Sequence, residues 1–174
     1  QVVDRGVVAP ARQRDARQLR ALVGLNRSST FPDGYDHVGA RVIGRSPTVW
    51  YSAITIDKGL GDGVRRDMPV INSAGVLGRV ALPAGNTATV QLIIDRSAAV
   101  AVRIDSTRTE GIALGNGDGT LRLEYLSATA EVTEGDTVVT AGIDGIYPQG
   151  LGVGRVERVE RAGPAYRKVV VRPF

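Results

Sequence analysis

The stretch Gly63-Val64, Met68-Pro69-Val70-Ile71 and Gly75-Val76-Leu77-Gly78-Arg79-Val80 returns, altered but in the same order, as Val132, Gly135-Asp136-Thr137-Val138-Val139 and Gly150-Leu151-Gly152-Val153-Gly154-Arg155-Val156. A strand precedes each copy, Ala40-Arg41-Val42-Ile43-Gly44-Arg45 lining up with Gly111-Ile112-Ala113-Leu114-Gly115-Asn116. Another follows, Thr89-Val90-Gln91-Leu92-Ile93-Ile94 after the first and Lys168-Val169-Val170-Val171 after the second. Self-similarity on this scale, in β-branched runs punctuated by glycine, means two similar β modules in tandem.

Outward from the repeat, strands are expected at 40–44, 49–56, 68–72, 76–82 and 88–94, and again at 100–104, 111–114, 121–126, 137–140, 152–159 and 167–171. The turns between them are explicit. Gly115-Asn116-Gly117-Asp118-Gly119-Thr120 is built from residues that tolerate positive φ and reads as a hairpin connection rather than a phosphate loop, since no Lys-Ser or Lys-Thr follows and no helix is expected next. Gly59-Leu60-Gly61-Asp62-Gly63 lacks the acidic ladder and closing Glu of a calcium loop. The expected fold is all-β: two small six-stranded barrels in tandem, of chymotrypsin-like architecture, over 37–97 and 98–174. Exchange of a strand between the barrels is left open.

Residues 1–36 precede the first module. Pro10 suits the first turn of a helix, and Ala16, Leu19, Leu22 and Val23 fall on one stripe with arginines opposite. The stripe spans under two heptads, so it reads either as the end of a longer coiled coil or as a solvated basic helix docked on a barrel. Ala16, Leu19 and Val23 are the candidate self-association positions, and the stripe alone is expected to hold only a weak dimer. Residues 26–36 read as a linker.

Composition sets the class. A 174-residue chain that is 43% hydrophobic but only 5% aromatic must fill its core with Val, Ile, Leu and Ala. Cysteine is absent, so disulfides, thiolate metal sites and cysteine nucleophiles are excluded. No apolar run reaches the ~20 residues that span a bilayer, and Gln1 is not a natural start, so an upstream segment is expected.

The net charge of +4 does not point to nucleic acid. Six arginines against Asp4 and Asp15 lie within residues 1–30, and the rest of the chain holds equal numbers of acids and bases. Within it, an acidic stretch at 105–144 alternates with a basic one at 155–172, a pattern that suits protein contacts better than a polyanion groove.

Candidate chemistry is thin. His37 is the only imidazole, and His37, Asp57 and Ser73 stand in the chain order of a chymotrypsin-like triad. A nucleophile of that architecture belongs to the second barrel, however, where the corresponding turn reads Gly117-Asp118-Gly119-Thr120. Asp57-Lys58 and the Glu131/Glu134 pair have no convergent partner and read as solvated strand ends and faces. A degenerate two-barrel hydrolase is therefore the second reading, and no catalytic, cofactor-binding or metal-binding residue is assigned. Trp50 and Tyr51 are adjacent on one strand and must point to opposite sides, one a core residue and the other a candidate contact.

At this point the motifs resemble a known family. Ala40 to Arg45, Trp50, Ile54-Thr55-Ile56-Asp57-Lys58-Gly59, Asp62-Gly63-Val64 and Gly75 to Val80 are similar to the first half of the rod shape-determining MreC family. Gly135-Asp136-Thr137-Val138-Val139-Thr140-Ala141-Gly142, Tyr147-Pro148-Gln149-Gly150-Leu151 and Val153-Gly154-Arg155-Val156 are similar to its second half, and Leu19-Arg20-Ala21-Leu22-Val23 to the end of its coiled coil. The resemblance implies a bitopic protein with a membrane helix, a coiled coil and a two-barrel domain at the extracytoplasmic face of the bacterial cytoplasmic membrane. It implies a non-enzymatic scaffold of the cell-wall elongation complex, with a class B penicillin-binding transpeptidase, MreD and MreB as partners and with dimers or filaments of the intact protein. Ala141 stands where a serine is common in the family, and the family offers no catalytic residue to carry over.

Two further expectations concern particular positions. Gly78 and Gly154 are equivalent in the repeat and are expected to allow close backbone approach, with Pro148 as a further structural residue. The loop Ile143-Asp144-Gly145-Ile146-Tyr147-Pro148 is the candidate protein-binding surface, since Ile143, Ile146 and Tyr147 stand where a plain turn would use polar residues. The competing reading is that Ile146 and Tyr147 plug the mouth of their own barrel.

Overall fold

The computed structural model describes residues 37–46, 52–127, 129–161 and 167–174. The helix expected before residue 36, with Ala16, Leu19 and Val23, lies outside them, as do Trp50 and Tyr51. The strands are β1 (Val42–Arg45), β2 (Ala53–Ile56), β3 (Pro69–Ile71), β4 (Val76–Pro83), β5 (Ala88–Leu92), β6 (Ala99–Ile104), β7 (Glu110–Gly115), β8 (Leu121–Glu124), β9 (Thr137–Thr140), β10 (Gly152–Arg161) and β11 (Arg167–Pro173). Each falls within or beside a span that alternation and glycine punctuation had marked.

Strands β6 to β11 close into a six-stranded barrel in the order β10-β11-β8-β7-β6-β9. Alternation supplies its filling: Val100, Val102 and Ile104 from β6, Leu121 and Leu123 from β8, Val153 and Val156 from β10, and Val169 and Val171 from β11 all point inward and are buried. These branched side chains fill most of the interior of a small barrel, and Tyr147 is the one aromatic in its buried cluster.

The first module differs from expectation. It is an all-antiparallel five-stranded sheet, β1-β2-β5-β4-β3, and among the described residues it does not close. Its end strands explain why. β3 has only three residues and begins with Pro69, which has no N–H to donate, while β1 is interrupted by a register shift between Val42 and Gly44. One face of the sheet carries Ile54, Ile56, Val80, Ala88 and Val90, covered by Val64 from the loop after β2. A 3₁₀ turn at Leu60–Asp62 shapes that loop, and Gly59 lets it lie against the β4–β5 turn, where a Cβ would meet the Ala84 carbonyl at 2.2 Å.

Sheet and barrel share a core. Val76 from β4 and Ile93, just after β5, belong to the barrel's buried cluster, with Ile71 and Ile94 packed against it. Backbone meets backbone as well: a Cβ on Gly75 would stand 2.1 Å from the Gly152 carbonyl oxygen. The first repeat's glycine thus abuts the second's. Residues 93–98 rest on the β7–β8 hairpin, the Gly117 N–H donating to the Ile94 carbonyl at 3.0 Å.

Candidate interaction surface

The loop from Ala141 to Leu151 joins β9 to β10, and its own backbone holds it in place. Gly142, Gly145 and Gly150 all take positive φ, which lets the chain turn three times in nine residues. Asp144 organises the tip: its Oδ1 accepts from the N–H groups of Ile146 and Tyr147, each at 3.0 Å, and Oδ2 accepts from Ala101 N–H on β6 at 3.2 Å. At the base the fully buried Thr140 hydroxyl donates to the Pro148 carbonyl and accepts from Leu151 N–H at 2.9 Å. Pro148 therefore contributes its carbonyl to a closed ring of hydrogen bonds.

Tyr147 is only 4% exposed and belongs to the barrel core, while Ile146 is half-buried against it. Burial pushes the phenol up to about 12; the Arg79 charge opposes the rise, and Asp144 and Asp67 add to it. Tyr147 is thus a plug rather than an exposed anchor, and the expectation that it meets a partner directly is corrected. The tip leaves one large apolar group outside, Ile143, at 68% exposure.

The sheet offers a second apolar surface. Register places Gly44, Thr55, Thr89 and Leu82 in one row across β1, β2, β5 and β4 on the face opposite the core. Leu82 is 65% exposed there, and Val42 and Ile43 are exposed on the edge strand β1. Two residues further along the same face, Ala53, Gln91 and Arg79 form the next row, which is buried or half-buried.

A polar chain runs through that covered row. Arg79 reaches Asp67 at 2.8 Å and the Gln91 side-chain oxygen at 3.3 Å, and Gln91 donates in turn to Asp95 at 3.2 Å and to Ser97 at 2.8 Å. Asp95, 1% exposed, also accepts from the N–H groups of Ser52 at 2.7 Å and Ser97 at 2.9 Å. Burial alone would raise its carboxyl, but these donors together hold it below the usual carboxylate range. This is a structural network whose inner members, Gln91 and Asp95, are buried and hydrogen-bonded, while its Arg79–Asp67 end reaches solvent.

The triad arrangement does not assemble. His37 and Ser73 are exposed, and Asp57 accepts from Arg41 N–H at 2.7 Å. Asp57 follows β2 and Ser73 follows β3, which are separated by β5 and β4, an offset of about 14 Å at the ~4.8 Å strand spacing. Lys58 pairs with Asp62 at 3.0 Å rather than with Asp57. Glu131 and Glu134 are exposed, and no cluster of three metal-ligating side chains occurs among the described residues. Gly78 and Gly154 occupy matching positions: a Cβ would stand 1.9 Å from the Gln91 carbonyl at the first and 2.3 Å from the Arg172 carbonyl at the second.

Comparison with known proteins adds the following. Residues 42–174 match the family model for the barrel core of the rod shape-determining protein MreC. The cell shape-determining protein MreC of Listeria monocytogenes is 36% identical over 131 residues, covering 72% of this chain and 44% of the relative. That of Escherichia coli is 34% identical over 164 residues, covering 93% of this chain and 43% of the relative. This chain therefore spans less than half of either protein. Among solved structures, MreC from Pseudomonas aeruginosa superimposes with a TM-score of 0.76 at 32% identity, covering 79% of this chain and 91% of that one. The major periplasmic domain of the cell shape-determining filament MreC gives 0.66 at 28% identity, over 77% of this chain and 84% of that one. The MreC found in a complex with penicillin-binding protein (PBP2) from Helicobacter pylori gives 0.63 at 19% identity, over 78% and 85%, a likeness of fold.

Proposed function

This chain belongs to the rod shape-determining MreC family, and from that premise we propose that it is a non-enzymatic scaffold of the machinery that elongates the bacterial cell wall. The observation that carries the proposal is the family match itself, which spans residues 42–174 and so takes in sheet, junction and barrel. The dispersal of His37, Asp57 and Ser73 supports it against the hydrolase reading. What remains for function is surface.

The proposed site of work is the extracytoplasmic face of the cytoplasmic membrane, with anchoring through a helix outside this sequence. The relative solved as a periplasmic domain supports this location. The proposed partners are a class B penicillin-binding transpeptidase, MreD and MreB, together with further copies of the protein. The Helicobacter pylori complex motivates the transpeptidase. On this chain the contact is proposed to use Ile143 at the tip of the pinned barrel loop, with Trp50 and Tyr51 from the sequence reading as further candidates. Ile146 and Tyr147 contribute by fixing the loop.

Capture of a purified class B transpeptidase by the immobilised β region tests the reading. Ile143→Asp removes an exposed apolar group, so it should weaken capture by roughly tenfold or more while thermal stability stays within a degree or two. Unchanged capture would move the contact off the barrel loop, and capture of no elongation protein by the wild type would end the scaffold reading.

A further inference from the structure

We propose that the barrel carries a separate binding groove for a neutral, polyhydroxylated chain, an oligosaccharide, between the β6–β7 hairpin and the segment after β8. The groove has a volume of about 730 Å³ and is lined by Thr107, Arg108, Glu110, Tyr125, Thr129 and Glu131, among others. It is a shallow, open depression rather than an enclosed cavity, and its walls are polar where small-ligand sites are mostly apolar.

Two backbone features converge on it. Among the described residues only Asp67, Arg108 and Tyr125 take positive φ without being glycine, and two of these three line this groove. Arg108, at φ 56, stands in the hairpin turn where a glycine is the ordinary choice. Tyr125, at φ 59, ends β8 in a conformation that a bulky side chain rarely adopts. The unfavourable turn brings no burial in return, since Tyr125 remains 78% exposed. Strained residues that serve no packing role point to use at the surface.

The lining selects the ligand. Two carboxylates, Glu110 and Glu131, face one guanidinium, Arg108, which disfavours a polyanion. Only Ala130 among the aliphatic residues contributes to the wall, so a protein's apolar anchor finds no pocket. What the groove offers is one broad aromatic face set among hydroxyls and charged hydrogen-bonding groups. The Thr107–Thr109 hydroxyl pair, 3.0 Å apart, and the Ser127–Thr129 pair, 2.9 Å apart, lie along its sides. A sugar ring matches this set: its C–H face stacks on the phenol, and its hydroxyls accept from Arg108 and donate to the carboxylates.

The test is a titration of the isotope-labelled protein, read by amide chemical shifts, with a β-1,4-linked N-acetylglucosamine tetramer and, separately, a β-1,4-linked glucose tetramer. Shifts confined to 107–110 and 125–131 are expected with at least one of them, and the comparison tells whether the acetamido group is required. Tyr125→Ala should weaken binding at least about tenfold with the rest of the spectrum unchanged, and Tyr125→Phe should retain it within about threefold. Absence of shifts at these amides with both sugars at ~10 mM overturns the proposal. So does equal binding by Tyr125→Ala.

Discussion

At the residue scale Tyr147 is the position whose behaviour is most sharply determined. Its ring fills the barrel, so Tyr147→Ala should cost about 3 kcal/mol or more, whereas Tyr147→Phe keeps the packing. The phenol adds a pH signature. Its folded value of about 12 lies above the ordinary value of 10.0, so the associated stability is complete below pH ~10 and is lost as pH rises through about 12. In denaturant titrations wild type and Tyr147→Phe should match near pH 9. By pH 11.5 the variant should be the more stable by on the order of 1 to 3 kcal/mol. Parallel curves across this range would mean that the phenol titrates in solvent.

Burial of Tyr147 was open in the sequence because an aromatic in a glycine-flanked loop reads equally well as anchor or plug. The deciding partner is Asp144, whose carboxylate turns the chain inward at Tyr147; the Asp-Gly pair marks a turn in the sequence but not which side chain that turn buries. Arg108 and Tyr125 were illegible for a related reason. Positive φ is signalled by Gly or Asn, and here neither residue is present.

At the element scale the strands were largely legible, since alternation and punctuation are local properties. The expected strand 121–126 ends two residues early, at Glu124, because Tyr125 leaves the extended region. Closure was less legible, because whether β1 and β3 meet depends on bulges and lengths that a repeat pattern does not encode. Gly78 and Gly154 make the repeat testable. Each lies where a Cβ would overlap a carbonyl oxygen of the neighbouring strand, so Gly→Val at either should destabilise by more than ~1 kcal/mol in equilibrium unfolding. Tolerance at one site alone would show that the two strands are not equivalent.

For the whole molecule, the decisive feature is the continuity between sheet and barrel. Shared burial of Val76 and Ile93, the Gly75–Gly152 approach and the Gly117–Ile94 hydrogen bond all predict one cooperative unfolding transition. Gly75→Val should wedge the junction apart, and calorimetry should then resolve two transitions or a lowered, broadened one. An unchanged single peak would mean that the units hold together through other contacts. The sequence repeat showed that there were two modules, but not that the repeats themselves would meet. Contact between Gly75 and Gly152 is a matter of tertiary geometry.

The uneven edges of the sheet have a mechanical consequence. Tension applied between the chain before Val42 and a partner held at the barrel, as proposed, would enter the fold through β1, a four-residue strand with a shifted register and, among the described residues, one neighbour. The barrel, with every strand paired on both sides, resists the same load as a closed ring. The fold is therefore stiff at the barrel and yielding at β1, which under the proposed function would be the partner end and the tether end. Peeling of β1 acts as a fuse that lengthens the connection before the barrel gives way.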